Sequence, residues 1–298
     1  MKEKESEYPL RLWALTPFLL IASSFFIAGC SLRPLAVRST TELLNHGVGA
    51  LYNEPDPAFA EAAFPSQLKL LEEILYNSPH DPRLLLLTSK GFAGYSFLFL
   101  EDSSPKRAAA FYTRGRNYAL RDLSLQKKFH DLKNENLDAL SQSLKKASLS
   151  DTPALFWTAF NWAGAINLKK DSPSALAALP RVVAIMQRVS ELNPNFYFAG
   201  PELFFGSYYS RPPMLGGNPK KAKTCFEQAQ RLTDGKYLMG YVLEAQYYAV
   251  TVQDKSLFEK LLKKVRDSSA GTLPNSRLAD EVAKEKATRL LEKENDLF

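Results

Sequence analysis

Residues 192–232 read LNPNFYFAGPELFFGSYYSRPPMLGGNPKKAKTCFEQAQRL, and this stretch decides the fold. Asn193-Pro194 stops one helix. An aromatic-rich helical segment follows, the loop Arg211-Pro212-Pro213-Met214-Leu215-Gly216-Gly217-Asn218-Pro219 ends it, and a second helix begins. In that helix Ala222, Cys225, Phe226, Ala229 and Leu232 fall on one side of a 3.6-residue spiral. Ala222, Phe226 and Ala229 repeat the small-aromatic-small core of the second helix of a tetratricopeptide repeat. The expectation is an all-α chain of stacked helical hairpins, an α-solenoid.

Working outward, the same grammar recurs. Asp81-Pro82 opens an apolar helix to Leu100, and Ser104-Pro105 opens its partner, where Ala108, Tyr112 and Gly115 take the small-aromatic-small spacing. Helices are also expected over Thr41–Tyr52, Ser66–Tyr76, Ala154–Leu168, Lys236–Val252 and Ser256–Val265. A helix from Asp171-Ser172-Pro173 to Leu192 carries Leu176, Leu179, Val183, Met186 and Val189 inward, with a kink near Leu179 caused by Pro180. Gln126–Lys146 reads as a helix on the surface of the array, and the charged helix Ser276–Lys293 as its cap. Arg107, Arg114, Arg116 and Arg121 mark either a solvated face or a contact surface for an anionic partner.

Residues 1–29 have the pattern of an export signal. Lys2, Lys4 and Arg11, offset by Glu3, Glu5 and Glu7, precede an apolar run that ends in Ile27-Ala28-Gly29-Cys30. That ending resembles a bacterial lipobox, which would make Cys30 a diacylated N-terminus; the alternative is an uncleaved anchor helix. Acyl chains would tether the chain to a membrane leaflet without a spanning segment. Residues 30–38 read as tether and 39–298 as the helical domain. With Cys30 lipidated, Cys225 is the only thiol and no internal disulfide can form. The net charge of +6 is spread out, and an exported protein is not expected to meet nucleic acid.

The helix Ala154–Leu168 is apolar nearly all round, so it must be covered on both sides. Asn161 within it either bonds a neighbouring helix or, with Trp157 one turn away, faces an internal cavity. The aromatics Phe196, Tyr197, Phe198, Phe204, Phe205, Tyr208 and Tyr209 exceed what one helix face needs, so some are free to line a cleft. Trp157, Asn161, Phe205, Tyr208, Tyr209 and Tyr241 are the cleft candidates, and Arg211, Pro212, Gly216, Gly217 and Asn218 the candidates for an interaction loop. No catalytic or metal constellation is expected. His46, His80 and His130 never approach ligand spacing, there is no G-x-S-x-G, and no strand precedes Gly216-Gly217 to make a phosphate loop. No cofactor is expected either.

Leu192-Asn193-Pro194, Gly206-Ser207-Tyr208-Tyr209, Arg211-Pro212, Gly216-Gly217-Asn218 and Ala222–Ala229 together resemble the T component associated with tripartite ATP-independent periplasmic (TRAP) transporters, often called TatT. Phe99-Leu100-Glu101, Arg107-Ala108 and Tyr112-Thr113-Arg114-Gly115-Arg116 are similar to that family too. The resemblance implies a lipid-anchored periplasmic protein of tetratricopeptide-like hairpins that forms a homotrimer. It also implies binding to the transporter's substrate-binding P component and a cleft or pore that passes an apolar or organic-acid ligand. The other readings are an envelope-assembly scaffold that binds peptides or lipoproteins, and a hydrolase built on helical repeats.

Overall fold

Helix starts determine the path of the chain. Asp56 accepts hydrogen bonds from the amides of Ala58 and Phe59, Asp81 from Arg83 and Leu84, Asn136 from Ala139, Asn218 from Lys221 and Asp254 from Leu257. Proline follows three of these caps at the first helical position, where its missing N–H costs nothing. The computed structural model describes residues 47–169, 172–212, 214 and 216–298, and all regular structure among them is helical. The signal, Cys30, the tether and most of the expected helix Thr41–Tyr52 lie outside the described residues; 47–52 are helical.

The elements are α1 (Pro57–Asn77), α2 (Pro82–Tyr95, running on as a π-helical turn Ser96–Leu100), α3 (Pro105–Ser124), α4 (Leu137–Lys145) and α5 (Thr152–Asn167). After them come α6 (Pro173–Leu176), α7 (Leu179–Leu192), α8 (Phe196–Tyr209), α9 (Pro219–Leu232) and α10 (Leu238–Leu243, continuing as a π-helical turn Glu244–Ala249). The chain ends with α11 (Lys255–Asp267), α12 (Arg277–Glu292) and α13 (Glu294–Leu297). Successive long helices pack on one another: α1 on α2, α2 on α3, α3 on α5, α5 on α7, α7 on α8 and α8 on α9. Helix α12 then touches both α11 and α1, so the end of the domain returns to its beginning.

The α9 stripe packs as its spacing predicts, with Ala222, Phe226 and Ala229 buried and Cys225 and Leu232 half-buried. Three of the close contacts share one device, an aromatic ring laid over a glycine of a neighbouring helix. A Cβ on Gly164 would stand 2.6 Å from the Tyr112 ring, one on Gly206 2.9 Å from Phe226, and one on Gly200 2.6 Å from Phe156. Only glycine permits these approaches.

Three expectations need correction. Helix α1 begins at Pro57, not Ser66, because Asp56 caps it and Ala60, Phe64, Leu68, Leu71 and Leu75 form one buried stripe that runs past Pro65. Residues 126–146 do not make one surface helix; a 3₁₀ turn, the turn after it and α4 bury Phe129, Leu132, Leu140 and Leu144 in the core shared with α5 and α7. Pro180 does break the helix before α7, but the break rotates the register: Leu176 is 44 % exposed and the buried set is Val182, Ile185, Met186 and Val189. Helix α12 has the one polar side expected of it: Leu278, Val282, Ala283 and Ala287 are buried, Glu285, Thr288 and Arg289 are exposed, and Lys286 pairs with Asp102 at 2.9 Å.

The seam makes a direct prediction. Gly164→Ala forces the Tyr112 ring aside and should cost about 1–3 kcal/mol, as overpacked cores do. At about 2–4 °C per kcal/mol for a domain of this size, the loss is readable as a lowered Tm by circular dichroism; an unchanged Tm contradicts the seam.

Candidate functional site

Trp157 is 2 % and Asn161 0 % exposed. The Asn161 amide donates to Ser89 Oγ at 3.1 Å, to the Ser89 carbonyl at 3.3 Å and to the Trp157 carbonyl at 2.8 Å. Of its two readings, the bond to a neighbouring helix is the one that holds. Its Oδ1 has no hydrogen-bond partner and lies where a Cβ of Gly115 would be, so the residue marks the tightest point between α3 and α5. Trp157 packs edge-on against Phe156 at 5.0 Å and Tyr197 at 4.6 Å between ring centroids.

The α8 candidates sit elsewhere on the same core. Phe205 is buried and stacks on Tyr209, while Tyr208 and Tyr209 are half-buried. Arg211 lays its guanidinium 4.0 Å from the Tyr208 ring centroid and donates from Nε to the Tyr208 carbonyl. The loop after it is tightly constrained. Gly216 has φ +81°, and a Cβ on Gly217 would collide with the Arg211 carbonyl at 1.6 Å. The Gly217 amide donates to the Pro212 carbonyl, the Asn218 amide donates to the Tyr209 carbonyl, and Asn218 caps α9. Met214, 90 % exposed, stands out from this loop. Cys225 nearby is a poor nucleophile: burial, then Glu202, push its thiol up to about 11.

Tyr241 is separate from both groups. Its hydroxyl accepts from Lys264 at 2.7 Å and donates to the Gly235 carbonyl at 3.2 Å, in an open depression with Glu227, Gln230, Arg231 and Asp234.

The most unusual backbone lies in the first turn of α8. Tyr197, Phe198 and Ala199 have φ of 48°, 59° and 57°, three left-handed residues in succession without a glycine. Each such residue costs roughly 1–2 kcal/mol, so packing must hold the turn. Phe198 stacks on Tyr237 at 4.5 Å and 13°, Phe156 covers Gly200, and Tyr197 rests on Trp157. The turn delivers the Tyr197 ring to Lys90 of α2, whose Nζ lies 5.4 Å from that ring's centroid and 4.3 Å from the centroid of Tyr52. Burial pushes Lys90 down to about 8 and raises Tyr52, Tyr197 and Tyr237 above the ordinary phenol range, and Tyr197 adds to the shift of the other two tyrosines. Lys90, Tyr52 and Tyr197 nevertheless keep accessible surface. The three side chains are thus half-buried, packed on one another and still reaching solvent. Sequence reading missed Lys90; the available signal was a lone cation beyond the first turn of an otherwise uncharged helix, Leu84–Tyr95.

Beside the Tyr241 depression, Gln230 donates to Glu244, whose carboxyl is pushed up from 4.5 to about 7, first by burial and further by Glu227. The folded state holds this proton more tightly than the unfolded chain does. The stability it contributes is therefore complete below the unfolded value and is lost as pH rises towards 7. Glu244→Gln should gain about 1–3 kcal/mol over wild type at pH 8 and little at pH 4.5, measured by thermal melting; equal gains at both pH values contradict the assignment.

Among the described residues no group of three or more His, Cys, Asp or Glu side chains could hold a metal, and no helix is long and apolar enough to cross a membrane. No curated protein matches the chain. The family model described as TRAP transporter T-component matches residues 53–298, so the chain belongs to that family and is an accessory component of a TRAP-type transport system.

Proposed function

We propose that this chain is a periplasmic lipoprotein that docks the substrate-binding P component of a TRAP-type uptake system and holds an apolar or organic-acid ligand in an aromatic-lined cleft. In this reading residues 1–29 are removed as a signal peptide, Cys30 carries the lipid, residues 30–38 are the tether, and 39–298 are a tetratricopeptide-like array that assembles as a homotrimer. The role is to bind and pass on, with no catalytic step. The observation that supports the holding role is the set of aromatic side chains around Tyr197, packed on Trp157 and joined through the same core to Phe205, Tyr208 and Tyr209. Arg211, Pro212, Gly216, Gly217 and Asn218, with Met214 exposed among them, are the proposed docking element.

Co-purification of the detergent-solubilised lipoprotein tests this reading. It should bring down the solute-binding protein of the same transport system, and Met214→Asp should weaken that recovery severalfold. Tyr208→Ala should leave recovery intact while slowing ligand passage. Cys30→Ala should release the chain from the membrane fraction. Recovery of outer-membrane assembly proteins in place of the solute-binding protein would favour the envelope-assembly scaffold instead.

A further inference from the structure

We infer that the outward side of α1, with a row of arginines from α3 beside it, rests on the phospholipid headgroup layer of the leaflet that carries the anchor. The inference depends on the lipid anchor proposed above and adds how the tethered domain is oriented.

Helix α1 turns apolar side chains in two directions. Ala60, Phe64, Leu68, Leu71 and Leu75 are buried. Phe59, Leu70 and Tyr76 are 64 %, 46 % and 88 % exposed, and at about 3.6 residues per turn Phe59, Ala62, Ser66 and Leu70 stand opposite the buried row. A single exposed hydrophobic side chain is ordinary. Leu125, Leu137, Leu149 and Leu176 are of that kind, each at the end of a different element. Three large ones on the outer side of one helix are a surface.

Arginines border that surface. Arg107, Arg114 and Arg121 recur at every seventh residue of α3 and so share one side of it. That side is turned towards α1. Arg114 pairs with Glu72, Arg121 donates from Nε to the Pro79 carbonyl at 3.0 Å, and Arg107 lies 6.0 Å from the centroid of Tyr95, whose ring stacks on Phe64. Arg107 has ring faces beside it and no hydrogen bond or ion pair among the described residues. A guanidinium carries five N–H donors, so all three arginines keep donors for acceptors outside the protein. With Lys69 they outnumber the acids of α1, Glu61, Glu72 and Glu73, which leaves the surface net positive. Arg116 is not part of the row; it lies over Trp162.

A leaflet is the partner these features fit. Helices that lie in a headgroup layer present Phe, Leu and similar side chains to the acyl boundary and cations at its margin, where guanidinium groups meet phosphate oxygens in pairs. Tyrosine suits the same depth, with an apolar body and a polar tip. The position of α1 in the chain agrees. The described residues begin at Gly47, residues 47–52 are helical, and α1 follows at Pro57. At about 3.3–3.6 Å per residue, the chain from Cys30 to Gly47 reaches roughly 60 Å at full extension. A domain held within that distance meets the leaflet at a high effective concentration, so a modest contact is enough to orient it.

Spin-label accessibility of the full lipidated chain in vesicles of phosphatidylethanolamine and phosphatidylglycerol tests the face. Nitroxides are attached through Phe59→Cys, Leu70→Cys and, as reference, Met214→Cys, each in a Cys225→Ser background. The labels at 59 and 70 should be about threefold less accessible to an aqueous nickel chelate than the label at 214, and more accessible to oxygen, which concentrates in the acyl layer. Arg107→Glu should raise nickel access at 70 about twofold. Thermal melting of each labelled chain reports folding, and the two positions on separate turns guard against a label that perturbs α1. Nickel access at 59 and 70 equal to that at 214 would overturn the assignment. So would protection from nickel and oxygen alike, which marks a protein contact such as a second copy, or an Arg107→Glu chain that behaves as wild type. Mass spectrometry of Cys30 separates the two readings. An acylated chain whose labels at 59 and 70 face water sinks the face alone, and a chain without acyl groups sinks the anchor and this orientation with it.

Discussion

An aromatic ring seated on a glycine of the next helix is the contact on which the rest of this structure depends. Tyr112 over Gly164, Phe226 over Gly206 and Phe156 over Gly200 each bring two backbones closer than any side chain would allow. The ring fills the volume that the missing Cβ leaves, so close approach and full packing are achieved together. Among the described residues the one cysteine is free, so no disulfide reinforces these seams.

The seams also determine what is left over. Once Phe156 is committed to Gly200 and Phe198 to Tyr237, the chain between Asn195 and Gly200 has little choice of conformation and is held in a left-handed turn. That turn brings Tyr197 beside Lys90, whose ammonium also lies over the Tyr52 ring. Strain at one place is thus supported by packing at another. Burial raises the Cys225 thiol to about 11, so it is a poor nucleophile.

Much of the architecture was legible because turns and caps are local. Asp56-Pro57, Asp81-Pro82, Ser104-Pro105 and Asn218-Pro219 start helices, and Pro180 divides one, for reasons contained within a few residues. The small-aromatic-small spacing of Ala108-Tyr112-Gly115 and Ala222-Phe226-Ala229 announced two of the three seams, and α5, apolar nearly all round, was expected to be covered on both sides and packs against α3 and α7. What stayed hidden was non-local. Leu132 looks like surface until α5 and α7 arrive. The cluster at Lys90 was least legible of all. Lys90, Tyr52 and Tyr197 come from three elements, and no glycine signals the left-handed turn. The candidates chosen from sequence were the conspicuous aromatics, and in the structure Trp157 packs on Tyr197 while Tyr241 lies in a separate depression.

The most direct measurement is a crystal structure of the protein. The account predicts the rings of Tyr112, Phe226 and Phe156 seated on Gly164, Gly206 and Gly200, with Tyr197, Phe198 and Ala199 at positive φ. Rings turned away from these glycines, or an ordinary right-handed turn at 197–199, would contradict it.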